Sequence, residues 1–331
     1  MKLQQRIELL EKLGFFLSEN AAETDAAKQQ AYIQNSWFIP AFIDLQLKNI
    51  CSAFLQKEKL QQWVSHYHLD DNIGSRNVGI VMAGNIPLVG FHDFLCVFIS
   101  GHQQTIKLSS KDNVLLKFIV EKMISWDARV KDQVAFAEML KDRDAYIATG
   151  NNNSARYFEY YFSKYPSIIR HNRTSVALLD GNETAEQLDK LADDVHLYFG
   201  LGCRNVTKIY VPQEYDFVPL LKAFEKYGYF SDHNKYRNNF DYYLSLQMMN
   251  SRFYMTNNSI VLAENESPFS AISVLNYEFY KDADAVREKL KDDERIQCIV
   301  SKEDIAFGKT QCPALMDYAD GIDTMQFLLS L

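Results

Sequence analysis

The sequence contains neither of the usual phosphate-cradling loops, GxGxxG or GxxxxGK[ST], so a nucleotide site cannot be read from motif and is suspected only from position. It also lacks a CxxC pair. Five cysteines, Cys51, Cys96, Cys203, Cys298 and Cys312, are odd in number, scattered, and have no histidine at metal-ligand spacing. That excludes a disulfide framework and a structural zinc site, and it suits a reducing compartment. No basic block forms a phosphate stripe, and a net charge of −8 with a pI near 5.4 argues against a nucleic-acid partner. No apolar run approaches the roughly 18 residues of a membrane span. The first twenty residues carry charges throughout with apolar positions at helical spacing, which reads as an amphipathic helix and not a signal peptide. A soluble cytoplasmic protein is expected, where triplets such as Asn172-Arg173-Thr174 have no glycosylation meaning. Internal repeats, low-complexity tracts and flexible linkers are missing too.

What is present is an ordinary globular composition, 47% hydrophobic and 24% charged over 331 residues, enough for two domains with sizeable cores. Residues 1 to about 70 read as helices, with Ile7, Leu10, Leu13 and Phe16 at helical spacing. Trp37, Phe38 and Phe42 around Pro40 are expected to dock this lobe on its neighbour. His66 and His68 lie two apart, share no helix face, and read as solvated.

From Asn77 strands and helices alternate. Strands are predicted at 77–83, 105–108 and 145–149, and helices at 88–100, 113–125 and from about Ser154, with Gly101 as a C-terminal cap. This spacing implies βαβ units and a mostly parallel sheet. Ligands in such sheets lie beyond the carboxyl ends of the strands, where the turns at Gly84-Asn85, Ser109-Ser110 and Thr149-Gly150 fall. A second α/β segment follows, with strands at 175–179, 259–263, 271–279 and 296–301 and helices at 184–198, 217–227 and 283–291. Residues 229–256, dense in Asn, Tyr and His, read as an irregular region over a cleft between two lobes.

One stretch, 199–212, places two glycines, Gly200 and Gly202, directly before Cys203 and an alternating run through Val206, Ile209 and Val211. A thiol on a tight turn ahead of a strand suits a nucleophile; a buried cysteine packing as a small hydrophobe is the bland reading of the same residues.

Four motifs in order, Ala83-Gly84-Asn85-Ile86-Pro87, Thr105-Ile106-Lys107-Leu108-Ser109-Ser110, Ile147-Ala148-Thr149-Gly150-Asn151 and Gly200-Leu201-Gly202-Cys203, resemble the aldehyde dehydrogenase superfamily. The resemblance is nearest to its acyl-CoA reductase branch, the fatty-acyl reductases of bacterial luminescence systems, and it runs from about Asn77 to the C-terminus. It implies an aldehyde dehydrogenase-like α/β fold, with a Rossmann-like cofactor domain of mostly parallel sheet and a second α/β catalytic domain. The expected division is 1–174 for the helical lobe plus cofactor domain and 175–331 for the catalytic domain, with a C-terminal segment packing back on the first.

Carried over by resemblance, Cys203 is the nucleophile that forms an acyl thioester, and Asn85 supplies a side-chain donor to the oxyanion hole. Without the family, Asn85 reads as a turn residue before a proline. Lys107 falls on the cofactor-ribose lysine, Thr149 and Gly150 on the strand end facing the nicotinamide or pyrophosphate, and Glu266 on the nicotinamide-ribose glutamate. Their bland counterparts are a strand-end lysine, an ordinary βα turn and a solvated loop acid.

Departures from the pattern matter as much. Hydrolytic relatives carry a water-activating glutamate before the strand at Ser175, whereas Ile168-Ile169-Arg170-His171-Asn172-Arg173 has no carboxylate. Without a base to deliver water, a thioester survives to be reduced. The acid that holds the ribose hydroxyls is replaced by Ser110 followed by Lys111, which favours NADPH, with NADH as the alternative. Arg170, His171 and Arg173 read either as a coenzyme A phosphate cluster or as structural ion pairs. His196, seven residues before Cys203, is expected to have no catalytic part. Tyr157, Phe158, Tyr160 and Tyr161 read as an acyl tunnel or as core.

The expected function is reduction of an acyl-CoA or acyl-carrier thioester to an aldehyde, in a protein that associates into homo-oligomers. A thiol acyltransferase or thioesterase, and a non-catalytic acyl- or nucleotide-binding relative, remain as alternatives.

Overall fold

The computed structural model describes residues 1–19, 22–72 and 74–331, and the chain divides into two compact units. Residues 1–172 with 313–331 form the first and residues 173–312 the second.

The first unit opens with four helices, α1 (Leu3–Ser18), α2 (Ala22–Gln34), α3 (Pro40–Ala53) and α4 (Lys57–His66). Their apolar stripes, including Leu10, Leu13, Ile43 and Leu60, close a common core. Phe38 and Phe42, flanking Pro40 at the first turn of α3, are buried as their spacing predicts. There follow β1 (Asn77–Val81), α5 (Phe91–Ile99), β2 (Gln103–Lys107), α6 (Leu115–Trp126), β3 (Val134–Phe136), β4 (Ala145–Thr149), α7 (Asn152–Phe162) and β5 (Ser167–Arg170). The five strands pair in parallel in the order β3-β2-β1-β4-β5. Val78, Ile80, Ile106 and Ile147 are wholly buried in the middle of the sheet, and α5 is buried on almost every side because all but His92 and Asp93 of its residues are apolar.

In the second unit come β6 (Thr174–Leu178), α8 (Ala185–His196), β7 (Val206–Pro212), α9 (Val218–Phe224), α10 (Asn234–Met249), β8 (Tyr254–Thr256), β9 (Val261–Glu264), β10 (Val274–Tyr280), α11 (Ala283–Lys291) and β11 (Ile296–Val300). Sheet order is β11-β6-β7-β10-β9-β8, parallel except for the antiparallel edge strand β8. A capping box between Thr184 and Gln187 starts α8. The last helix, α12 (Thr324–Leu329), belongs to the first unit.

Three expectations are corrected. Residues 229–256 are not irregular: α10 occupies 16 of them, anchored only by Tyr236 and Phe240. Its weak apolar periodicity hid it, since most of its length is polar or uncovered. The segment around Ile168, where no strand is expected, is strand β5, with Ile168 in the core. Tyr157, Tyr160 and Tyr161 line no core, being 65, 77 and 67% exposed, because α7 turns Ala155, Phe158 and Phe162 toward the sheet, with Phe158 partly buried.

Arg170, expected on a coenzyme A cluster or a surface pair, ends β5 as a buried cation. It pairs with Asp93 of α5 and donates to Thr324 Oγ1 at 3.0 Å, tying α12 to the sheet. Removing one partner of a buried pair leaves the other charge uncompensated. Arg170→Met is therefore expected to destabilise the protein by about 3 kcal/mol in urea unfolding, and Asp93→Leu in the same chain to recover part of that loss.

Candidate active site

The candidate residues fall on both units. In the second, the chain leaves α8 at His196 and passes through Tyr198, Phe199 and Gly200 at φ values of 55, 57 and 73°. Left-handed backbone at two bulky residues in succession costs on the order of 1 kcal/mol or more each. The run is held because both side chains are buried, Phe199 packing on Phe230 at 4.5 Å and on His233 at 4.7 Å between ring centres.

Asn205, two residues beyond the thiol, is wholly buried. Its carboxamide donates to the carbonyls of Asp194 (3.0 Å) and Leu197 (2.8 Å) and accepts from the Gly202 amide (2.8 Å). One side chain thus joins the carbonyl end of α8 to the turn that presents Cys203. The Cys203 carbonyl accepts from Ser175 Oγ at 3.1 Å, which fixes the turn against β6. Cys203 itself is half-buried. His196 is buried against Tyr227, with ring centres 4.7 Å apart, and its Nδ1 bonds to the Ala192 carbonyl. Burial pushes its pKa down to about 4, so it stays neutral and supplies no cation to the thiol. Glu266 stands exposed just past the carboxyl end of β9.

In the first unit, the connections of β1 and β4 leave toward opposite edges of the sheet, which makes their carboxyl ends the switch point where ligands lie in open α/β sheets. Asn85 follows β1 and is half-buried. Thr149 ends β4, and Gly150 and Asn151 lead into α7, where Asn151 Oδ1 caps the Ser154 amide at 2.9 Å. Lys107 ends β2 and is exposed, as is Ser110 in the turn beyond it.

The β1 and β2 turns interlock. A Cβ on Gly84 would lie 2.6 Å from Ser109 Oγ, so only glycine lets them approach. Asp112 Oδ2 then accepts from the Leu88 amide at 2.7 Å, stabilising Leu88 at φ 53° in the turn that carries Asn85. Asp112 Oδ1 is buried with no partner among the described residues. Burial pushes the carboxyl up to about 7. Asp112 and Asn205 were not singled out from the sequence. An amide two residues after a candidate cysteine was the only available signal for Asn205, and Asp112 sits in a polar turn like many others.

Among the described residues no group of His, Cys, Asp and Glu could hold a metal ion, and no helix is long and apolar enough to cross a membrane. Two α/β units, the first with a switch point and the second with a half-buried thiol on a constrained turn, define an aldehyde dehydrogenase-like protein. Solved structures that resemble the chain carry the same fold: an aldehyde dehydrogenase of Bacillus cereus (12% identity, TM-score 0.65, 91% of this chain and 72% of that one), and the indole-3-acetaldehyde dehydrogenase AldA of P. syringae in complex with NAD+ and IAA (11%, 0.64, 88% and 70%). Aldehyde dehydrogenase 21 of Physcomitrella patens, in complex with the reaction product succinate, is similar over 91% of this chain and 74% of that one (12%, 0.62). At such identities the likeness shows the fold. No curated protein matches the sequence.

Residues 46–219, more than half of the chain, match the family described as Acyl-CoA reductase (LuxC), and the protein belongs to that family, with the fold of the aldehyde dehydrogenases it resembles. It is an oxidoreductase by that membership.

Because Asp112 holds its proton more tightly folded than unfolded, where an aspartate titrates near 3.9, the folded state binds more protons across roughly pH 4 to 7. Stability falls as pH rises through that window and levels off above about 7. Asp112→Asn keeps an acceptor for Leu88 and removes the slope. Urea unfolding across this range is expected to show the variant gaining on wild type up to about pH 7 and no further; a constant difference would show that Asp112 does not titrate there.

Proposed function

We propose that the protein reduces an acyl-CoA to an aldehyde with NADPH, by way of a covalent acyl thioester on Cys203. The observation that carries this reading is the half-exposed thiol three residues beyond a left-handed run, on a turn that the buried Asn205 carboxamide ties to the end of α8, a local backbone conformation with an energetic cost.

In this reading the Cys203 sulfur attacks the thioester carbonyl, and the negative charge that develops on oxygen is met by the Asn85 amide and the backbone N–H of Cys203. Collapse of the adduct expels coenzyme A as its thiolate and leaves the acyl group on Cys203. When bound, a nicotinamide cofactor would supply the hydride for reduction of this thioester to the aldehyde, with the Cys203 thiolate released as leaving group. Lys107, Ser110, Thr149, Gly150 and Glu266 are the residues assigned to hold the cofactor, and the switch point between β1 and β4 is a fitting place for a dinucleotide.

Two features support reduction over hydrolysis and NADPH over NADH. Segment 168–173 carries no acid to activate water, and its Arg170 is committed to Asp93. Along the chain beyond Lys107 the next carboxylate is Asp112, which is buried and turned to the Leu88 amide, while Ser110 and Lys111 are exposed. A ribose 2′-phosphate would thus meet a cation and no carboxylate.

Acyl-CoA-dependent oxidation of NADPH, followed by the loss of nicotinamide absorbance, is the expected activity. A thiol acyltransferase or thioesterase would oxidise none. Cys203→Ala should abolish both turnover and labelling by radioactive acyl-CoA, and unchanged labelling would leave only a binding protein. Asn85→Ala should lower kcat by about 10²- to 10³-fold without loss of folding. A clear preference for NADH would overturn the cofactor assignment.

A further inference from the structure

Strand β7 runs through the middle of the second sheet, where Val206, Ile209 and Val211 are almost wholly buried, yet at its centre stands Lys208, also wholly buried. An ammonium is an expensive occupant of such a position, and replacing a buried ion pair by apolar side chains is often neutral or stabilising. Lys208 is neutralised by Glu278 of β10 and lies 4.7 Å from the centre of the Tyr210 ring. Its third contact leaves the sheet: Nζ donates to the backbone carbonyl of Glu266 at 2.7 Å.

That bond is one of a set. Residues 266–269 belong to the connection from β9 to β10, and their four successive carbonyls all accept from side chains of the two neighbouring strands. Asn276, opposite Lys208 in the β10–β7 register, donates to the carbonyls of Ser267 and Phe269, each at 3.0 Å. Thr207 Oγ1 donates to the Pro268 carbonyl at 2.6 Å. Thr207 and Lys208 are consecutive, so on a regular strand they would face opposite sides of the sheet. Here the β6–β7 register steps from Ser175↔Val206 to Val176↔Lys208, which leaves Thr207 as the extra residue of a bulge. The bulge lets both residues reach the same loop. It lies four residues after Cys203, on the strand that leaves the thiol turn.

We propose that Lys208, with Thr207 and Asn276, is a positioning residue for the cofactor half of the reaction, fixing the backbone of the loop so that the exposed Glu266 carboxylate is presented to the nicotinamide ribose. The inference rests on the reading of Glu266 and NADPH given above. It assigns the buried cation a task that core packing does not require, and it ties the loop that carries Glu266 to the strand that leaves the thiol turn.

Lys208→Met would leave Glu278 uncompensated, so the informative variant is Lys208→Met with Glu278→Leu, which removes the pair and the Glu266 bond together. Thr207→Val removes the Pro268 bond alone. Both are expected to raise KM for NADPH, the double variant by about tenfold, the scale of a lost hydrogen bond to a charged group. The single-turnover rate of Cys203 acylation by radioactive acyl-CoA should not change. In a Glu266→Gln background the double variant should add little further, since both act through the same carboxylate. Amide hydrogen exchange at residues 265–270 should rise in the double variant. A folded double variant with unchanged KM, or with acylation falling in parallel, would overturn the positioning role, as would full additivity with Glu266→Gln. Wild-type protein that binds neither NADPH nor NADH would instead overturn the proposed function itself, and the cofactor role of the clamp with it.

Discussion

The turn before Cys203 depends on the carboxamide of Asn205. Tyr198, Phe199 and Gly200 take a left-handed path that no hydrogen-bonded ladder supports, so something must satisfy the polar groups that the path exposes. Asn205 does so from the first residue position before β7, accepting from Gly202 and donating to carbonyls at the end of α8. Remove that bridge and the aromatic packing of Phe199 and the Ser175 bond to the Cys203 carbonyl would have to hold the turn without it. The buried amide is thus a main determinant of where the sulfur stands.

A comparable economy operates at the carboxyl edge of the first sheet. Gly84 lets the β1 turn approach Ser109, and Asp112 bonds across to Leu88, so Asn85 is presented by two interlocked turns and not by one mobile loop. A side-chain amide held this way is a fixed dipole, the kind of group that can meet developing charge without reorganising. Tight contact of two backbones with a buried carboxyl between them gives that fixity, at the expense of an acid that resists ionisation.

Both units also contain a buried cation whose partner lies on another element: Arg170 with Asp93, and Lys208 with Glu278. Neither is best understood as a source of stability, because desolvation offsets most of the attraction. What each adds is direction. Arg170 reaches Thr324 and seats the last helix, and Lys208 reaches the loop that carries Glu266.

Much of this was legible in order along the chain. Alternation of strands and helices over much of the chain from Asn77, Pro40 opening a helix, Gly101 at φ 81° closing another and the Thr184 cap are local signals that the observed elements follow, although β3–β4, β5–β6 and β8–β9–β10 succeed one another with no α-helix between. Helix α10 escaped because its burial is confined to Tyr236 and Phe240, so no apolar period marks it, and β5 escaped because a four-residue strand gains its identity only from pairing with β4. By itself the sequence determined the fold class through periodicity and turn residues, which are properties of neighbours in the chain, while the family and the candidate chemistry came from the resemblance of four motifs in order. Only the tertiary structure decided what Arg170, Asp112, Asn205 and Lys208 do. Each acts on a group brought to it by folding, and a charge or amide has no meaning until its partner and its burial are known.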